Sequence, residues 1–220
     1  MDTQLITVSN SVGIERIRED IQLADTWPVL LGRAMNLPVV NLSGSAAILA
    51  TGLVQLQNQL TGADIVVFNL GKVDCISRST TKHAAFLKNK WKILGLYEGQ
   101  EEEMLARHEF LSVCPFSRFE ELLTKATFLE GVPVVVAGVF HTTQSNLMKH
   151  PAWNYEMDEC NHIWQQWCDA TMRVFISPDK ILRGVSLNDV LLDDGCHYTK
   201  HGHQLVSIAI AETVQSMLIC

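Results

Sequence analysis

Five short apolar runs punctuate the chain, at residues 5–8, 38–42, 64–70, 132–140 and 172–177. They are rich in Val and Ile, and most lack strict alternation of apolar and polar positions. A strand buried on both faces has this pattern, so the runs predict a parallel sheet. Between them the apolar period lengthens to that of a helix. Trp27, Leu30, Leu31 and Met35 share one face of a predicted helix over 27–35. Leu49, Leu53, Leu56 and Leu60 do the same within 45–60. Further helices are predicted over 82–94, 100–114, 117–128, 153–171 and 201–218, and acidic starts at 100 and 117 suit the helix dipole. Trp164 and Trp167 fall at helical spacing that fits core packing.

Alternating strands and helices imply a doubly wound sheet with right-handed crossovers. The expected fold is therefore α/β: a flavodoxin-like three-layer α/β/α sandwich on a five-stranded parallel sheet, in one domain spanning residues 1–220. The stretch 77–131 is longer than a crossover requires. It predicts a helical elaboration able to cover part of a site.

In open parallel sheets ligands bind beyond the carboxyl ends of the strands. Ser9-Asn10-Ser11-Val12-Gly13 follows the first run, and Asn41-Leu42-Ser43-Gly44-Ser45 the second. Gly71-Lys72-Val73-Asp74 follows the third, and Asp193-Asp194-Gly195-Cys196-His197 lies beyond the fifth. A serine, glycines, an acid and a histidine thus converge on one edge. A serine hydroxyl becomes a nucleophile when an imidazole takes its proton, and a carboxylate holds that imidazole in the right tautomer. Ser11, His197 and Asp194 suit those roles, with backbone N–H groups at Ser11 and Gly44 facing the oxyanion. Each has a competitor. Ser11 also suits a helix cap, Ser9 is a second nucleophile and Asp193 a second acid. Cys196, His197, His201 and His203 form a dense group, but no matching half of a zinc site is evident, so no metal is expected. His141 reads as a loop residue near the same edge. No GxSxG elbow is present.

These blocks resemble the SGNH, or GDSL-like, hydrolases. That family carries a serine after the first strand in a GDS motif, a glycine after the second, GxND after the third, and DxxH before the last helix. Ser9-Asn10-Ser11, Gly44 and Asp194-Gly195-Cys196-His197 match three of the blocks, with Asn10 in place of the motif aspartate. The third block has Val73 where the family has an oxyanion-hole asparagine. It resembles a GxVDCxxR branch through Gly71, Asp74, Cys75 and Arg78. That branch also tends to carry an arginine five residues after the nucleophile, here Arg16, and a Thr-Trp-Pro helix start, here Thr26-Trp27-Pro28. The resemblance implies a serine esterase acting on a small acyl ester without a cofactor. Its catalytic residues would be Ser11, Asp194 and His197, with Gly44, Gly71, Asp74, Arg78 and Arg16 around the oxyanion and substrate. Asp74 fits a cap of the following helix better than catalysis, and the two arginines suit a carboxylate or phosphate. Acyl transfer or deacetylation on a glycan, and a non-catalytic binding module, are the alternatives.

The 220 residues carry a net charge of -7 without a run of Lys and Arg. Phosphate backbones need a basic face, so a nucleic-acid partner is not expected. No apolar run approaches the roughly 20 residues of a membrane span. The six cysteines, Cys75, Cys114, Cys160, Cys168, Cys196 and Cys220, are irregularly spaced without a CxxC pair. With no basic-then-apolar start, they read as free thiols of a cytoplasmic protein.

Overall fold

The computed structural model describes residues 3–62 and 64–219. Its strands are β1 (Leu5–Ser9), β2 (Val39–Asn41), β3 (Ile65–Asn69), β4 (Ser77–Ser79), β5 (Phe110–Ser112), β6 (Val134–Ala137) and β7 (Val174–Ile176). The helices before β6 are α1 (Trp27–Met35), α2 (Leu49–Gln57), α3 (Lys72–Cys75), α4 (Ala84–Leu94), α5 (Glu101–Arg107) and α6 (Phe116–Thr124). The rest are α7 (Gln144–Leu147), α8 (Trp153–Ala170), α9 (Pro178–Leu182), α10 (Leu187–Val190) and α11 (Lys200–Ile219).

All five expected strands form one parallel sheet in the order β2-β1-β3-β6-β7. Both faces are covered, which explains the missing polar alternation. Ile6, Val8, Val66, Phe68, Val134 and Val136 point into one buried cluster, packed with α2, α4, α6 and α8. Leu5, Ile65, Val67, Val135 and Ala137 point into the other, packed with α1 and α11. Neighbours along each strand therefore fill opposite cores, and polar residues there would need buried partners. This order reverses its winding between β1 and β3, and the crevice beyond their carboxyl ends is where such sheets place ligands.

Helix α1 spans the expected residues, with Pro28 in its first turn and Asn36 closing it at φ 53°. Three expectations are corrected. The helix predicted over 100–114 ends at Arg107, and Phe110–Ser112 pairs antiparallel with Ser77–Ser79. A backbone bond from Thr80 N to Glu109 O (2.9 Å) extends this ribbon, and one from Cys114 N to Asp74 O (2.9 Å) ties it to α3. The helix predicted over 45–60 begins only at Leu49, so residues 44–48 form a loop on the ligand edge. The helix predicted over 117–128 stops at Thr124 and gives way to a 3₁₀ turn at Thr127–Leu129. Cys75, Cys114, Cys160, Cys168 and Cys196 are free thiols, and Cys220 lies outside the described residues. No helix among the described residues is long and apolar enough to cross a membrane.

Candidate active site

Strand β1 delivers Ser9 inward and Ser11 outward. Ser9 is fully buried, with its hydroxyl 2.6 Å from that of Ser43, which removes it as the accessible nucleophile. Asn10 caps the 3₁₀ turn Ser11–Gly13 by accepting the Val12 N–H at 3.2 Å. The capping role considered for Ser11 thus falls to Asn10. An asparagine oxygen does this as well as an aspartate oxygen, which accounts for the altered motif residue. The Ser11 hydroxyl is left facing the ligand edge.

The Ser11 Oγ lies 2.7 Å from His197 Nε2. On the other side of the ring, His197 Nδ1 lies 2.6 Å from Asp194 Oδ2. The second oxygen of Asp194 accepts the backbone N–H groups of Cys196 (2.8 Å) and His197 (2.9 Å). Partial burial opposes the Asp194 charge, but the bonds from the His197 ring and from these two N–H groups outweigh it. They hold the carboxyl well below the usual carboxylate range. Asp193, the other candidate acid, is exposed.

The loop carrying Asp194 and His197 is fastened from below. Gly195 takes φ +63°, and its carbonyl accepts the Thr142 hydroxyl at 3.0 Å. The buried Lys72 ammonium reaches the carbonyls of Gly195 (3.4 Å), Cys196 (3.5 Å) and Phe140 (3.5 Å). Burial pulls its pKa down. Just past the loop, the Tyr198 hydroxyl donates to Asn69 Oδ1 at 3.0 Å, and Asn69 donates to the Ala137 carbonyl at 2.9 Å. The segment leading into α11 is thereby bolted to the carboxyl ends of β3 and β6.

A cavity of about 480 Å³ opens over Ser11 and His197. Arg16 and Arg78 both line it. Arg16 pairs with Glu19 at 3.0 Å and lies 3.8 Å from Asp194. One nitrogen of Arg78 donates to the carbonyls of Val73 and Ile76, each at 2.9 Å, so this side chain shapes the loop after β3. Val73, at the position of the family's asparagine, presents an apolar wall.

The other three expected residues lie behind this surface. Asp74 is fully buried and accepts the Leu49 N–H at 2.9 Å. It caps a helix, as the alternative reading held, but the preceding α2 rather than the following one. Gly71 is buried at φ +119°, where a Cβ would come within 2.3 Å of the Cys160 sulfur. Its role is close packing. The Gly44 N–H donates to the Ser9 carbonyl at 3.1 Å, so it is already engaged, and it is Ser45 and Ala46 that face the cavity.

Sequence reasoning passed over Lys72, which stood only as the variable position of a short motif. It also passed over His83, Phe86, His150 and Trp153 in the cavity wall. His150 stacks on Trp153 with centroids 4.1 Å apart and planes 5° from parallel. The one signal was the unusual length of 77–131, which does supply Arg78, His83 and Phe86. His141 instead pairs with Asp158 at 2.6 Å in a separate cavity. His203 accepts the Trp27 N–H at 3.1 Å, and burial lowers its pKa to about 4.

Sheet order and crossovers match the fold of SGNH, or G-D-S-L, hydrolases. A lipase/acylhydrolase from Enterococcus faecalis superposes with a TM-score of 0.69 at 15% identity, over 97% of this chain and 96% of that one. The psychrotrophic esterase EstA from Pseudoalteromonas, inhibited by monoethylphosphonate, gives 0.58 at 11% identity over 100% of both chains. A carbohydrate acetylesterase from Sinorhizobium meliloti gives 0.58 at 13% identity over 98% of this chain and 100% of that one. No protein-family model and no curated protein matches the sequence.

Proposed function

We propose that the chain is a serine esterase that hydrolyses small acyl esters. The carrying observation is the unbroken line from Asp194 through His197 to Ser11, with contacts of 2.6 and 2.7 Å. Ser11 Oγ attacks the ester carbonyl carbon as its proton passes to His197 Nε2. Asp194 holds the ring with Nδ1 protonated and stabilises the imidazolium. Collapse of the tetrahedral intermediate breaks the bond to the alcohol, which leaves with the proton from Nε2. Water then attacks the acyl-enzyme by the same route in reverse, releasing the acid and restoring Ser11.

The oxyanion is received by the Ser11 N–H, which opens a 3₁₀ turn and has no partner within it, and by the backbone of residues 45–46. Losing an asparagine donor typically costs about 100- to 1000-fold in rate. With Val73 in that place, turnover on simple esters is expected to be slow. No cofactor enters the scheme, and free thiols suit the reducing cytoplasm.

A second reading, acyl transfer to or from a glycan, draws on the stacked His150–Trp153 pair, a flat surface of the kind sugars pack on. It is supported by likeness to the carbohydrate acetylesterase. A purely binding role fits poorly with three aligned catalytic groups. The test is turnover of 4-nitrophenyl acetate by wild type and Ser11→Ala. The variant should fold normally and lose turnover; retained turnover would reject the assignment.

A further inference from the structure

The cavity is basic in a chain that is acidic overall. Arg16, Lys72 and Arg78 line it, and no carboxylate is among its described lining residues. The whole chain has 24 acidic residues against 17 basic. Glu19 and Asp194 answer the charge of Arg16. Lys72 and Arg78 have no carboxylate within 4.0 Å among the described residues.

Lys72 is buried and hydrogen-bonds only carbonyl oxygens, with the Asp194 charge acting on it from beyond 4.0 Å. Arg78 is partly buried, holds two carbonyls, and lies over the Phe86 ring at 5.0 Å. Two carboxylates lie close enough to influence Arg78 without reaching it. Asp74 is sealed below the cavity, and Glu156 is tied to the Ser77 N–H at 2.7 Å. Buried cations are ordinarily paired, and unpaired ones in a low-dielectric cleft focus a positive potential. The neighbouring wall of Ile76, Phe86 and Trp153 is apolar and suits a short carbon skeleton.

Building on the esterase reading, we infer that the natural substrate is an anionic ester, with its carbonyl at Ser11 and a carboxylate or phosphate group at Arg78. The guanidinium edge not engaged with Val73 and Ile76 receives that group, and Lys72 adds to the field without touching it. Specificity then comes from pairing the Arg78 charge, which no carboxylate among the described residues reaches within 4.0 Å.

The test compares three acetyl esters of similar leaving-group chemistry: 4-acetoxyphenylacetate, 4-acetoxyphenyl phosphate and the neutral 4-ethylphenyl acetate. At low salt, kcat/KM for at least one anionic ester should exceed that for the neutral one by about tenfold or more, and the leader identifies the group. Molar salt should shrink the ratio. Arg78→Gln should bring it towards unity, and Arg78→Lys should keep part of it if the glutamine variant misfolds. Wild-type preference for the neutral ester, or equal rates, overturns the inference while leaving ester hydrolysis standing. A binding arm is independent of turnover. Quenching of Trp153 fluorescence by 4-hydroxyphenylacetate or 4-hydroxyphenyl phosphate should occur at least about tenfold below the concentration needed for 4-ethylphenol. If no ester is turned over, the esterase reading fails. Tight binding of either anion would still uphold the anion site, and its absence would end it.

Discussion

Asp74→Asn separates a structural acid from a catalytic one. Asp74 is fully buried, one oxygen holds the Leu49 N–H, and the other has no partner among the described residues. Burial raises its pKa from 3.8 to about 7, against the opposing pull of the Leu49 bond and the Arg78 charge. The folded protein therefore binds a proton at Asp74 that the unfolded chain has already released between about pH 4 and 7. Where the folded state holds more protons, stability falls as pH rises. Asp74 thus favours folding below about pH 4, and this advantage is lost as pH climbs through about 7.

A shift of about three units corresponds to ~4 kcal/mol across that window. An asparagine carries no charge, so the slope disappears. It retains an oxygen for the Leu49 N–H and buries an unpaired amide donor, at a constant cost of ~1–2 kcal/mol. Urea denaturation of both proteins from pH 4.5 to 8.5 should show the variant gaining on wild type by several kcal/mol as pH rises. Its kcat at pH 7 should stay within a few-fold of wild type. A stability difference independent of pH would refute the reasoning, and a large loss of kcat in a folded variant would return Asp74 to the residues around the oxyanion and substrate.

Asp194→Asn should lower kcat by about 10³- to 10⁴-fold with little effect on folding, since the amide selects the wrong ring tautomer; a loss below tenfold would argue against the triad. Lys72→Met removes the ammonium beneath the carbonyls of Gly195 and Cys196, and on a neutral ester should lower kcat by about tenfold or more with KM little changed, because small misplacements of the base are costly. Separate measurement of kcat and KM checks this, and an unaltered kcat would deny Lys72 a positioning role. Gly71→Ala forces a side chain into positive φ and against Cys160, and should cost more than ~2 kcal/mol in urea denaturation.

The sheet was legible because its three central strands, β1, β3 and β6, are buried on both faces. Val and Ile crowd 65–67 and 134–136 without a polar rhythm, and that signature survives any tertiary context. The β4–β5 ribbon was not legible. Phe110 and Leu111 follow a good helical stretch, and only pairing with Ser77–Ser79 across more than thirty residues turns them into a strand. Ser11, Asp194 and His197 were readable as candidates from the order of short motifs along the chain. Gly44 and Asp74 show the limit of that reading: a motif gives a position, but whether an N–H or carboxylate faces the cavity depends on what it bonds first. Lys72 carried no periodic or motif signal, since its burial follows from a loop 123 residues away closing over it. The cavity wall from His83, Phe86, His150 and Trp153 likewise arises where two distant helix starts meet.

The central claim is that Ser11 is made nucleophilic by His197. Intact-mass and peptide-mapping analysis after brief exposure to a fluorophosphonate probe tests it most directly. One adduct, on Ser11, lost in His197→Ala, is the predicted result. A folded wild-type protein that takes no label, or takes it on another serine, would contradict the account.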